Sequence, residues 1–435
     1  MPSFDIVAGF DAAELNAAIK TFYDAVYPNL LKGAVKVNEL GIASVEFDVK
    51  APPTAELVPP PTVSAHIEQL LATPSGELAP FADVPPSTRT AIIDAAAQAS
   101  FSLSIPQLEL TISYTDGNTP TVIEAAATVE VGIGTETDSS GHNFLTLTAI
   151  TGSVSIPADP DLANVINNGA ISYLLDYLNT NVLKPLSIPA LQYRSLTVSL
   201  PAPVIQQGFA LAFSALGLTP PDIPGPFAWP HNTLFFGADA ALLVAAANTQ
   251  LPVGPSDSFN WTIVSGTIGA TLGPVNPGGV TINGDGSLGL QIPANAEAQL
   301  TVNLPWPFPN ITFGGSATAN LAATATPSVN AGELSITIDS IAPPTFQFTW
   351  DGLPDWVAAL IGLDALADAI GAVLAPLITQ FLRGITFPVL AIPSEQVTLN
   401  GTTYTLSVSQ VNISAIQGPQ GELLLVTCQP TFAPG

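Results

Sequence analysis

Hydrophobic positions along this chain follow two rhythms, one of period 3.6 and one of period 2, punctuated by proline and glycine. Between Asp11 and Leu31, the residues Leu15, Ile19, Phe22, Val26 and Leu30 recur at helical spacing, and Asp11 with Glu14 reads as a capping-box start. Pro28 and Gly33 close that stripe. Val35–Lys50 alternates as a strand through Val45, Phe47 and Val49, and a proline-rich connection follows at Pro52–Pro61. Two short helical patterns, Ser64–Leu71 and Ser87–Ala99, lead into three long period-2 segments at Phe101–Tyr114, Thr121–Gly134 and Phe144–Ile156. Turn residues alone separate these segments, which predicts an antiparallel meander. A second helix opens at Pro160-Asp161 and bends near Asn168-Gly169. It continues through Ile171, Leu174, Leu175, Leu178 and Val182 to Pro185, and a strand at Leu191–Leu200 follows.

The second half reads in the same order. Pro203–Leu216 is expected to be a helix with Ile205, Phe209, Phe213 and Leu216 on one face and Gly217 as its stop. Strands are expected at Leu234–Ala247, Phe259–Leu272, Gly279–Ile292, Glu297–Leu304 and Leu334–Trp350. A long helix opens at Pro354-Asp355 with the seam Trp356, Leu360, Leu363, Ala367, Ile370, Leu374, Leu377 and Phe381. Terminal strands turn back across Asn400-Gly401 and Gly418–Gly421. The Pro-Asp helix starts stand 194 residues apart, and the exit prolines Pro189 and Pro388 stand 199 apart. A period of that size predicts two similar domains, 1–200 and 201–435, in an α+β fold.

Composition sharpens this picture. The 435 residues carry 8 Lys and Arg against 34 Asp and Glu, a formal net charge of -26. Charged residues make up only 10% and apolar ones 47%, with a mean hydropathy of +0.43. That much apolar material excludes disorder, and eight cations are too few for a nucleic-acid footprint. The single cysteine, Cys428, forms no intrachain disulfide. The first residues lack a basic stretch and carry acids at Asp5 and Asp11, so no signal peptide is expected. A cytoplasmic protein, or one released without a standard signal peptide, fits best. Four sequons, at Asn260, Asn310, Asn400 and Asn412, read as by-products of an Asn- and Thr-rich composition. Val357–Ile378 resembles a membrane span, but Asp364, Asp368 and Pro376 interrupt it. It is expected to be the buried helix of a protein that is not transmembrane.

Catalytic constellations are not supported. His66, His142 and His231 are scattered, no Gly-x-Ser-x-Gly elbow occurs, and Cys428 has no basic neighbour. Gly284-Asp285-Gly286-Ser287-Leu288-Gly289 matches a dinucleotide fingerprint by letter, yet a strand pattern follows it where a helix is required, so a hairpin turn is expected. Asp364 and Asp368 have no third ligand beside them, which argues for a solvated helix margin over a metal site. No enzyme activity, metal or cofactor is expected.

The twice-repeated order of helix, antiparallel strands, long helix, Ile/Phe-Pro exit and strand resembles the tubular lipid-binding (TULIP) superfamily. Within it, the accessory proteins of clostridial neurotoxin gene clusters are the closest in character, since the secreted members carry disulfides and basic ends that this chain lacks. The resemblance implies that each domain is a curved antiparallel β-sheet wrapped around long helices, with an apolar groove for a fatty acid or phospholipid. On that basis the groove wall is expected at Phe209, Phe213, Trp356, Leu360, Leu363, Ile370, Leu374, Leu377 and Phe381, with Leu15, Ile19, Phe22, Leu174 and Leu178 in the first domain. Lys and Arg nearly vanish after Lys184 and all five tryptophans lie beyond residue 200, which favours the second domain as the ligand's place. A toxin-associated or self-associating protein-interaction component is the alternative reading.

Overall fold

The computed structural model describes all residues except 1–3, 28–30, 40, 73–83, 138–142, 184–187, 190–195, 262–263, 304–308, 331, 353–362, 392–394, 400–401 and 435. It is built from helices and three antiparallel sheets. Strand β1 (Ile6–Asp11) enters helix α1 (Ala12–Val26), whose N-cap Asp11 accepts the Glu14 amide at 2.9 Å, as the capping pattern predicts.

The N-terminal sheet follows. β2 (Lys32–Glu39) and β3 (Ile42–Val49) form a hairpin where the sequence pattern gave one strand from Val35 to Lys50. Asn38 and Gly41, both at positive φ, bend the chain between them. After the short β4 (Thr54–Glu56) come helices α2 (Pro61–Ala72) and α3 (Pro86–Gln98). The meander is present as β5 (Ser100–Tyr114), β6 (Thr121–Thr137) and β7 (Asn143–Ser155). With β8 (Ile188–Pro189) at the far edge, the sheet runs β2-β3-β5-β6-β7-β8. Register shifts between Ile105 and Leu108 and between Glu130 and Val131 bend its long strands and curl the sheet.

A broken helical segment lies along the inner side of this curl. α4 (Pro160–Val165) and α5 (Ile171–Leu178) are joined by a π turn at Ile166–Ala170, and a second π turn follows at Asn179–Leu183. The segment touches β2 on one side and β7 on the other. The Asn167 side chain pairs with both the N–H (2.7 Å) and the C=O (2.9 Å) of Val154, and Asn179 does the same with Ala149 (2.7 and 3.1 Å).

Residues 203–216 correct the helix expectation. They form a hairpin, β9 (Ala202–Gln206) and β10 (Phe209–Ser214), turned at Gln207-Gly208 with both residues at positive φ. The spacing Phe209 to Phe213 suits a helix and a strand equally. Leu211, between them and buried with them, belongs only to the strand reading. Among the described residues of 191–200 only an isolated bridge from Val198 to Leu216 occurs in place of the expected strand. The expected strand Leu234–Ala247 is likewise a short strand, β11 (Leu234–Ala238), followed by helix α6 (Ala240–Gln250) capped by Asp239.

The C-terminal sheet holds β12 (Ser256–Asn260), β13 (Val264–Leu272), β14 (Val280–Ile282), β15 (Leu288–Val302), β16 (Ile311–Asn330), β17 (Glu333–Ile341), β18 (Thr349–Asp351) and β19 (Thr386–Ala391), in the main order β12-β13-β15-β16-β17-β19. Helix α7 (Leu363–Leu382) lies against β13 and β17. It is long and apolar enough to cross a membrane by length and composition alone.

The central sheet takes strands from distant parts of the chain. With β20 (Glu395–Leu399), β21 (Thr402–Gln417) and β22 (Glu422–Pro434) its order is β20-β21-β22-β11-β1-β10-β9. β1 sits between β10 and β11, so strands beyond residue 200 supply both of its neighbours. The crossing is tight: a Cβ at Gly9 would stand 2.6 Å from Leu211 Cδ2 and 2.9 Å from the Ala210 carbonyl oxygen.

Candidate functional site

Three apolar clusters make up the interior, and they divide the expected groove residues between them. Phe209 and Phe213 lie in the smallest, with Phe4, Val7, Leu211, Trp229 and Phe235 on one face of the central sheet. Both are buried in sheet packing; Phe213 is closed in by Phe4 at 4.9 Å and Trp229 at 6.3 Å. They are not grouped with the α7 seam.

That seam belongs to the largest cluster. Leu366, Ile370, Leu374, Ile378 and Leu382 follow one another at four-residue steps, and none is more than 5% exposed. They fill the inner side of the C-terminal sheet against Ile268, Leu300, Ile336 and Ile338. Burial of each such side chain contributes about 1.5–3 kcal/mol. Ile370 and Leu374 are therefore plug residues, while Leu377 and Phe381 are half-buried at the helix margin. Leu363 opens α7, and Trp356 and Leu360 lie outside the described residues.

The remaining expected residues, Leu15, Ile19, Phe22, Leu174 and Leu178, come together on one cluster, and all five are only half-buried. Its floor is the inner face of the N-terminal sheet, with Val45, Phe47 and Val49 of β3 beside Leu108, Leu110 and Ile112 of β5. Two phenols tie the helices to that floor. Tyr23 of α1 donates to the Val49 carbonyl at 3.0 Å, and the Tyr177 ring of α5 meets Phe47 edge-on at 4.8 Å. Tyr23 thus holds α1 at the Val49 end of β3, and Tyr177 holds α5 over Phe47, about 7 Å along the same strand. Phe22 also meets Phe432 of β22 at 5.4 Å.

No residue of α5 is buried, although Ile171, Tyr173, Leu174, Leu175, Tyr177 and Leu178 make it strongly one-sided. Its apolar side chains are largely covered, Leu175 beside Gly152 of β7 and Tyr177 beside Gly33 of β2, yet each keeps some exposed surface. Tyr173, Leu175 and Tyr177 are thus site residues that the expected set omitted; the same helical stripe that contains Leu174 and Leu178 would have reached them.

Polar groups at the rim are mostly acids. Burial alone would raise Asp48, but bonds from Lys50 (2.6 Å), Lys32 and Tyr27 (3.2 Å) outweigh it and hold the carboxyl below its usual range. The same balance holds Asp11 low, through the amides of Glu14 and Asn232 and the His231 ring at 3.0 Å. Glu14 is pushed up by burial and by Asp11. The Asp11–His231 pair joins residues 220 apart, and no sequence signal announces it.

The other chemical candidates resolve simply. Burial, with help from Glu14, drives the Cys428 thiol up to about 12, so it is inert at neutral pH. The Gly284–Gly289 stretch is the β14–β15 turn, in which Asp285 accepts the amide and hydroxyl of Ser287 and Gly286 has positive φ. His66 lies half-buried on α2, Asp364 and Asp368 lie on α7 with Asp368 exposed, and His142 falls outside the described residues. Among the described residues no three His, Cys, Asp or Glu side chains form a metal-holding group.

No protein-family model matches the chain, and no curated protein sequence matches it. Among solved structures, the chain is similar to lipopolysaccharide binding protein, with 12% identity over 99% of each chain and a TM-score of 0.34. It is also similar to P47 from Clostridium botulinum A2, with 9% identity over 98% of this chain and 97% of that one and a TM-score of 0.41.

Proposed function

We propose that this chain is a non-catalytic lipid binder whose ligand lies over the inner face of the N-terminal sheet, between α1 and α5. The observation that carries this reading is the half-buried apolar face of α5, opposed by the equally half-covered stripe Leu15, Ile19 and Phe22 over a floor of Val, Leu, Ile and Phe. A hydrocarbon laid there gains about 25 cal/mol for each Å² removed from water. The corresponding helix on the C-terminal sheet, α7, has its seam packed, so the reading moves the ligand from the tryptophan-rich half to the first half. An inert thiol and the engagement of His231 by Asp11 support a binding role over a catalytic one.

We infer further that two similar units meet in the central sheet. Gly9-Phe10-Asp11-Ala12-Ala13 and Gly237-Ala238-Asp239-Ala240-Ala241 both end a central strand and start a capped helix. The hairpin β9–β10 adds to β1 as β21–β22 adds to β11, which puts the joint in the proline-rich stretch after Gly217, beyond the expected division at residue 200.

The test of lipid binding is uptake of N-phenyl-1-naphthylamine, an apolar dye that fluoresces on leaving water. The wild type is expected to take it up, and Leu174→Glu/Leu178→Glu to lose uptake at least tenfold with its far-UV circular dichroism unchanged. Undiminished uptake in the double variant would place the dye elsewhere and end this reading.

A further inference from the structure

Charges around the site narrow the class of lipid it accepts. Among the described residues, the Asp, Glu, Lys, Arg and His side chains that are buried are all acids: Asp11, Glu14, Asp48 and Glu130. Lys20, Lys32, Lys36, Lys50, Arg383 and His231 are exposed, and Arg89 and His66 are half-exposed. Lys32 and Lys36 alternate along β2 with the buried Val35 and Val37, so they project from the face opposite the site. The cations nearest the site are also engaged: Lys20 with Asp24 at 2.6 Å, Lys32 and Lys50 with Asp48, and Lys50 with Glu109 at 3.3 Å. The inner face offers phenols and hydrocarbon, and of the phenols Tyr23 and Tyr27 already donate to protein oxygens.

A carboxylate end group entering this site would lose its water without gaining a cation from any described residue, at a cost of several kcal/mol. The chain's net charge of -26 would repel it before entry. An alcohol or ester gives up its water at a smaller cost, a plain hydrocarbon at none, and none of the three carries a charge to be repelled. We propose that the site selects lipids with no ionised group at the buried end, a fatty alcohol or ester over a fatty carboxylate. This inference rests on the lipid-binding reading and deepens it.

Displacement of bound N-phenyl-1-naphthylamine by 1-hexadecanol and by hexadecanoate at pH 8 tests the selection, because the two competitors share one hydrocarbon chain. Hexadecanol is expected to displace the dye at a concentration at least tenfold lower. Lys36→Ala, which removes a cation from the opposite face of β2, is expected to keep that ratio. Leu178→Lys, which sets a cation on α5, is expected to shift it at least fivefold towards hexadecanoate. Equal potency, or a preference for hexadecanoate, in the wild type overturns the selection while leaving lipid binding intact. A protein that takes up neither the dye nor either competitor overturns the lipid-binding reading and the selection with it.

Discussion

Asp11 and Asp239 hold the same place in two copies of one short motif and meet opposite surroundings. Each caps a helix by accepting the amide three residues on, at 2.9 Å in both cases. Asp11 then gains a histidine and a further amide, whereas Asp239 gains a second carboxylate, Asp5. Burial first, and the charge of Asp5 next, push Asp239 from 3.8 up to about 7. The unfolded chain releases this proton near pH 4, and the folded chain keeps it to about pH 7. Unfolding therefore releases a proton in between, so this group's contribution is full below pH 4, declines as pH rises towards 7 and is constant above. Asp239→Asn keeps a cap acceptor and cannot titrate. Urea midpoints measured from pH 4 to 8 should fall less steeply with pH in the variant than in the wild type; parallel profiles would refute the raised titration of Asp239.

Helices in this chain are fixed to sheet edges by asparagine. Asn16 pairs with both backbone groups of Ala55, Asn167 with Val154 and Asn179 with Ala149, and Asn248 does the same with Val275 in the loop after β13. Each amide imitates a neighbouring strand by satisfying one N–H and one C=O. Asn167 and Asn179 are twelve residues apart, a spacing that would face them about 120° apart on a regular α-helix. The π turn absorbs one residue, leaving an effective eleven, or about 20°, and both side chains reach β7. Removing either as Asn167→Ala or Asn179→Ala strands two backbone groups and should cost about 1–3 kcal/mol in urea unfolding. Such devices are only partly legible in the sequence. The bend near Asn168-Gly169 shows in the pattern, but its role does not. β16 escapes a hydrophobic scan because its inner face is largely Ala317, Ala323 and Ala325 against Thr, Ser and Asn, so period-2 contrast is weak.

At the scale of the whole molecule, the N-terminal meander and the helices α1 and α7 were legible, while β1, residues 203–250, β16 and the grouping into sheets were not. Local rhythm located the meander, α1 and α7, since each carries apolar residues at one regular spacing. It carried no trace of β1 pairing with strands 200 residues away, because register between distant strands depends on the whole sheet. The half-covered site was visible only as stripes; which stripe is fully packed is decided in three dimensions. Two predictions separate the alternatives. Leu374→Ala should cost about 2–5 kcal/mol and leave dye uptake unchanged, whereas Leu174→Ala should cost less and weaken uptake. A fragment of residues 1–200 lacks both partners of β1 and should show less near-UV circular dichroism per aromatic residue than the full chain.

The central position of β1 also sets a timetable. A ribosome adding about 5–20 residues per second needs roughly ten to forty seconds between finishing Asp11 and reaching β11. Until β10 is made the strand offers unpaired backbone groups on both sides, and until β11 on one, in a form that recruits other nascent strands. The central sheet is completed only when β22 joins β11, and a chaperone that shields extended segments during translation should raise the yield more than one that acts on the finished chain.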